Sequence, residues 1–67
     1  MIEIFLNGER HALDAPLSVA ALLESLGLAD KRLAVEKDGQ IVPRSCHATT
    51  PLEAGSRLEI VVAVGGG

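Results

Sequence analysis

Three glycines, Gly65, Gly66 and Gly67, stand directly behind the β-rich run Leu58-Glu59-Ile60-Val61-Val62-Ala63-Val64. Glycine loses the most backbone freedom on ordering and brings no side chain to pack, so these residues do little for a final strand. They do suit an α-carboxylate that must enter a narrow site in another protein. Without Cβ atoms the backbone lies flat in a channel, and nothing shields the terminal carbonyl carbon from attack. An α-carboxyl titrates near ~3.5 and is ionised at neutral pH, which makes it a poor electrophile until it is activated. The group with chemistry to offer is therefore expected to be the Gly67 carboxylate, with Val64, Gly65 and Gly66 as the stretch that enters a partner. Plainer accounts are residues left by processing or cloning, and a frayed terminus with no role. A phosphate-cradling loop is not expected, because such a loop needs a helix after its glycines and the sequence offers none there.

Other residues have suggestive types and unpromising spacing. Cys46 and His47 are adjacent. Neighbours in a strand point to opposite faces, and no third group is in view to orient the pair as a nucleophile and base. His11 is far away in sequence, and no cluster at metal-ligand spacing exists, so no metal site is expected. Glu36 and Asp38 flank Lys37 near a turn and read as solvated surface, with a weak capacity to meet a basic partner.

The whole chain narrows the classes further. At 67 residues it is one small domain with little room for a deep catalytic cleft. A carrier or interaction module is expected rather than an enzyme. With 48% hydrophobic residues it is too apolar to be disordered. A net charge of −3 and a single aromatic, Phe5, give nucleic acid neither an electrostatic footprint nor a stacking platform. The longest apolar runs fall far short of the ~18 residues of a membrane span. The N-terminus reads as a strand containing Glu3 rather than a signal peptide. One cysteine cannot close an intrachain disulfide. The expected location is cytoplasmic.

The elements that must hold the carboxylate follow from period and punctuation. Ile2, Ile4 and Leu6 alternate with Glu3 and Phe5, the pattern of a half-buried strand. Asn7-Gly8 predicts a tight hairpin turn, and Glu9 to Leu13 the returning strand. Ser18 is suited to cap a helix whose inner face is Val19, Leu22, Leu23 and Leu26, with Gly27 as its stop. Leu33 to Lys37 predicts a strand, Asp38-Gly39 a second tight turn, and Gln40 to Val42 a short strand that Pro43 ends. Ser45 to Thr50 reads as loop, residues 53–56 as a turn, and Arg57 to Val62 as the last strand. One helix with four or five strands predicts an α+β domain with the helix across one sheet face. The first and last strands are expected side by side and parallel, with the helix in the crossover. The expected core is Ile2, Ile4, Leu6, Val19, Leu22, Leu23, Leu26, Leu33, Val35, Leu58, Ile60 and Val62.

The chain resembles the ubiquitin-like β-grasp sulfur carriers, in particular those of thiamine biosynthesis. The resemblance runs through Ile2-Glu3-Ile4-Phe5-Leu6-Asn7-Gly8, then Ser18-Val19-Ala20-Ala21-Leu22-Leu23 and Val35-Glu36-Lys37-Asp38-Gly39-Gln40-Ile41-Val42-Pro43-Arg44. It closes on Leu58 to Gly67. The turn before the last strand departs from the usual Gly-Asp, reading Gly55-Ser56, and the aromatic common near His47 is missing. Neither position carries the chemistry. The resemblance implies a β-grasp fold with a mixed sheet over residues 1–63, and a flexible tail over residues 64–67.

The same resemblance implies that the protein catalyses nothing and binds no cofactor. An adenylating enzyme of the ubiquitin-activating kind would use MgATP to place AMP on Gly67. Persulfide sulfur from a cysteine desulfurase would then displace AMP and leave a thiocarboxylate. Thiazole synthase would take that sulfur for thiazole formation. On the sheet face away from the helix, Phe5, Val61 and Ala63 are expected to offer an apolar docking patch; the plainer account is that Phe5 caps the sheet edge. Three alternatives share parts of this reading: the small subunit of molybdopterin synthase, a modifier conjugated to lysines through Gly67, and a β-grasp interaction module with an inert terminus. The short length and Val42-Pro43-Arg44 favour thiamine.

Overall fold

The computed structural model describes residues 1–63; Val64, Gly65, Gly66 and Gly67 lie outside the described residues. Two hairpins and a final strand build the sheet. β1 (Ile2–Leu6) and β2 (Glu9–Leu13) pair antiparallel through Asn7-Gly8. β3 (Leu33–Lys37) and β4 (Gln40–Ile41) do the same through Asp38-Gly39. Both turns place two consecutive residues at positive φ, 51° and 84° in the first and 51° and 85° in the second. That geometry matches the strand twist and is cheap only for Asn/Asp followed by Gly.

β5 (Arg57–Val62) joins the hairpins. It runs parallel to β1 and antiparallel to β3, giving the order β2-β1-β5-β3-β4 in a five-stranded mixed sheet. The chain passes from β2 to β3 through helix α1 (Val19–Ser25). The Ser18 hydroxyl accepts from Ala21 N at 3.1 Å, satisfying one of the open amides at the helix start. At the other end Gly27 has φ +74°, Gly27 N donates to Glu24 O, and Leu28 N donates to Leu23 O at 2.8 Å. This left-handed cap closes the last helical carbonyls.

The core lies between α1 and one sheet face. Ile4, Val19, Leu22, Leu23, Val35, Leu58 and Ile60 are buried as the periodicity predicts, and Ile2, Leu6, Leu26 and Leu33 pack partly buried around them. Three positions differ. Val62 is 37% exposed, because β1 ends at Leu6, opposite Leu58, and beyond that point β5 has a strand, β3, on one side only. Leu13 is buried at the end of β2, on the same face as the core. Leu52 is fully buried within a connection. Residues 50–52 lie against the start of α1: Val19 N donates to Thr50 O, and Leu52 N donates to Leu17 O.

The segment expected to be loop is a 3-10 helix, Arg44–Thr49. Pro43 enters it in an extended conformation, Cys46 N donates to Pro43 O at 2.8 Å, and the Thr49 and Thr50 hydroxyls both donate to Cys46 O. Short i→i+3 turns like this have no apolar period to announce them. The turn before β5 is closed by Ser56, which is buried: its hydroxyl accepts from Glu53 N at 2.9 Å, and its amide donates to Glu53 O.

Candidate functional site

β5 is the element that delivers the chain to its terminal glycines. Leu58 and Ile60 anchor it in the core, while Glu59 and Val61 point to the open face. Its far end is held from two sides. Ala63 N donates to Arg32 O at 2.9 Å, and Leu33 and Ala34 pair with Val62 and Val61. The tail therefore departs from a fixed point between the α1–β3 connection and the middle of the sheet. Gly67, Gly66, Gly65 and Val64, expected to carry and present the reactive carboxylate, lie beyond that point and outside the described residues.

Phe5, Val61 and Ala63 share the open face. Val61 is 64% exposed and sits beside Ala34, with Ala63 also exposed two residues on. Phe5 pairs with Arg57, and the Arg57 guanidinium lies over its ring at 5.3 Å from the centroid. That stacking holds Phe5 against the sheet. Glu59 stands between Arg57 and Val61 along β5, so a carboxylate interrupts the apolar strip on this face. Glu59 is paired directly with Glu36 on β3, and Glu36 with the exposed Ile41 on β4.

The residues around Lys37 are more structural than solvated. Lys37 Nζ donates to Pro51 O at 2.8 Å and meets Glu53 Oε1 at 3.1 Å, tying the connection before β5 to the sheet. An Asp38 carboxylate oxygen accepts from Arg57 N at 3.0 Å.

Cys46 and His47 do not act on one another. His47 Nε2 donates to Val42 O at 3.1 Å; a carbonyl can only accept, so that nitrogen carries the proton. His47 lines a cleft against α1, whereas Cys46 lines a groove on the β4 side with Gln40 and Ile41. His11 sits half-buried on β2 opposite Ile4. Among the described residues, no group of three or more His, Cys, Asp or Glu is arranged to hold a metal ion. No helix among them is long and apolar enough to cross a membrane.

The model of the ThiS family matches residues 4–67. A thiazole synthase of Paramagnetospirillum magneticum is 39% identical over 66 residues, 98% of this chain and 20% of the relative. A thiazole synthase of Magnetococcus marinus is 35% identical over the same coverage. The chain thus spans about a fifth of the length of these relatives. The uncharacterized protein ycf40 of Pyropia yezoensis is 35% identical, over 98% of this chain and 93% of the relative. The crystal structure of the thiamine biosynthesis protein ThiS from Geobacter metallireducens superposes with a TM-score of 0.84 at 28% identity. It covers 98% of this chain and 100% of the other.

Proposed function

This chain belongs to the ThiS family, and from that premise we propose that it is a sulfur carrier of thiamine biosynthesis whose cargo is borne on the Gly67 carboxyl carbon. One observation carries the reading: the family match spans residues 4–67, an extent that takes in the positions of the glycine tail as well as the fold. The likeness to a thiamine biosynthesis protein across nearly the whole chain supports the same pathway.

The chemistry proceeds in balanced steps. The Gly67 carboxylate attacks the α-phosphorus of ATP in an adenylating partner, releasing pyrophosphate and leaving an acyl-adenylate. A persulfide sulfur attacks the acyl carbon and AMP departs. The resulting acyl disulfide is cleaved by a second thiol, which leaves as a disulfide and frees the thiocarboxylate. The protein contributes no catalytic group to these steps. It contributes a rigid base, from which a tail ending in three glycines reaches a partner's active site. MgATP belongs to the partner, and the persulfide comes from a cysteine desulfurase.

Thiazole synthase is the proposed acceptor of the sulfur. In the two relatives of that name, a segment like this chain shares one polypeptide with a much longer remainder. Docking of either partner is assigned to the open face around Val61 and Ala63, with Phe5 at its lower end.

The deciding measurement is intact mass after incubation with MgATP, an adenylating enzyme of the ubiquitin-activating kind, a cysteine desulfurase and cysteine. The expected result is replacement of one oxygen by sulfur, abolished when Gly67 is deleted. An unchanged mass, with both enzymes active on a control carrier, leaves an interaction module with an inert terminus. The unreacted mass also reports whether Gly67 ends the mature chain, as the chemistry requires.

A further inference from the structure

The chain has six Lys and Arg against nine Asp and Glu, yet three of those six cations gather at one cleft. Lys31, Arg32 and Arg44 line it together with His47, between the end of α1, the connection to β3 and the 3-10 helix. Its floor is apolar, made chiefly by Leu23 and Leu28, and it opens into a shallower part of about 210 Å3 along α1. Among the described residues, no carboxylate lines either part. The two ion pairs among the described residues, Arg10 with Glu3 and Lys37 with Glu53, use none of these three cations.

Like charges gathered at one cleft repel one another, and no ion pair among the described residues offsets them. The position of the cluster suggests what it is for. Arg32 is the residue whose carbonyl holds Ala63 at the exit of β5. From Ala63, the four residues to Gly67 span at most about 14 Å. A protein that encloses the Gly67 carboxylate therefore comes within reach of the surface next to Arg32.

We infer that this cleft is a docking socket for an acidic segment of the adenylating partner, with carboxylates on the Lys31–Arg32–Arg44 rim and an apolar side chain on the Leu23–Leu28 floor. The inference rests on the carrier reading above. Guanidinium groups offer paired donors that fit carboxylates in a fixed geometry. A charged rim also accelerates encounter and makes it sensitive to salt. The socket lies on the helix side of the exit strand and the Val61–Ala63 surface on the open side, so the partner grips the exit from both.

The test uses the full chain with the adenylating enzyme and MgATP, following pyrophosphate release at varied carrier concentration. Arg44→Gln and Lys31→Glu are compared with wild type and with Ala15→Glu, which adds a negative charge at an exposed position before α1 that lines neither part of the cleft. The cleft variants are expected to raise the KM for the carrier about tenfold or more, with kcat nearly unchanged and a weaker salt dependence. Ala15→Glu is expected to match wild type. Folding of each variant is verified by its amide NMR spectrum; Arg44→Gln removes the charge but stays polar at an exposed position, and serves if Lys31→Glu misfolds. Wild-type KM in folded cleft variants, or a loss confined to kcat, overturns the socket while leaving the carrier reading intact. Failure of wild type itself to be adenylated removes the carrier reading and the socket with it.

Discussion

Asn7 holds Ile60 by both of its backbone groups: its Oδ1 accepts from Ile60 N at 2.7 Å, and its Nδ2 donates to Ile60 O at 3.2 Å. β1 ends at Leu6, so the side chain supplies the next rung of a ladder whose strand has already turned away. One residue thus makes the hairpin turn and fixes the stretch of β5 that leads to the tail.

Asn7→Gly tolerates the positive φ and deletes both bonds. It is expected to cost about 1–3 kcal/mol in urea unfolding. Amide exchange should quicken most from Ile60 to Ala63. Asn7→Asp keeps the acceptor for Ile60 N but turns an oxygen toward Ile60 O, and is expected to gain little over Asn7→Gly. Wild-type exchange at Val61 in Asn7→Gly would show that β3 alone holds the exit.

Leu52→Ala is expected to destabilise the domain by about 2–5 kcal/mol, because a fully buried leucine leaves a cavity that backbone pairing with residues 17–19 keeps from collapsing. Val62→Ala, at a position 37% exposed, is expected to cost well under half of that. Thermal or urea midpoints measured side by side check the ranking.

Leu52 also shows where sequence reading stops. Residues whose neighbours are local announce themselves: Asn7-Gly8 and Asp38-Gly39 as turns, and Ser18 and Gly27 as the two ends of a helix with Val19, Leu22 and Leu23 between them. The parallel pairing of the first and last strands followed from the need to place one helix over one sheet. Leu52 has no periodic partner, since it is brought into the core by backbone pairing of residues 50–52 with residues 17–19, remote in sequence. The 3-10 helix is equally silent, being held by a proline entry and threonine hydroxyls rather than by an apolar stripe. The cationic cleft joins Lys31 and Arg32 to Arg44 and His47 only after folding, so in sequence these residues look scattered. The glycine tail, by contrast, needs no fold to be recognised.

Glu36 and Glu59 face each other directly across β3 and β5, and neither has an ion-pair partner among the described residues. Like charges so placed are destabilising, whereas opposite charges contribute roughly 0.2–1 kcal/mol. Glu36→Lys is expected to raise the melting temperature of the isolated chain, with the gain shrinking at high salt. An unchanged or lower midpoint would show that water already screens the pair.

Gly66→Val is expected to leave the melting temperature as it is and to block adenylation by placing a branched Cβ in the partner's channel. Pyrophosphate release by the adenylating enzyme gives the readout. Release at the wild-type rate would mean that the channel is wide and that the glycines serve a later step.

β5 lies in the middle of the sheet and is the last strand of the domain to leave the ribosome. Until Leu58 and Ile60 emerge, the two hairpins have nothing to join them and α1 has half a surface to rest on. A nascent or prematurely terminated chain therefore offers an activating enzyme no finished platform, whatever its final residues are. On the carrier reading proposed above, strand order alone would tie cargo loading to quality control, because the sheet that supports Ala63 is complete only once β5 is in place.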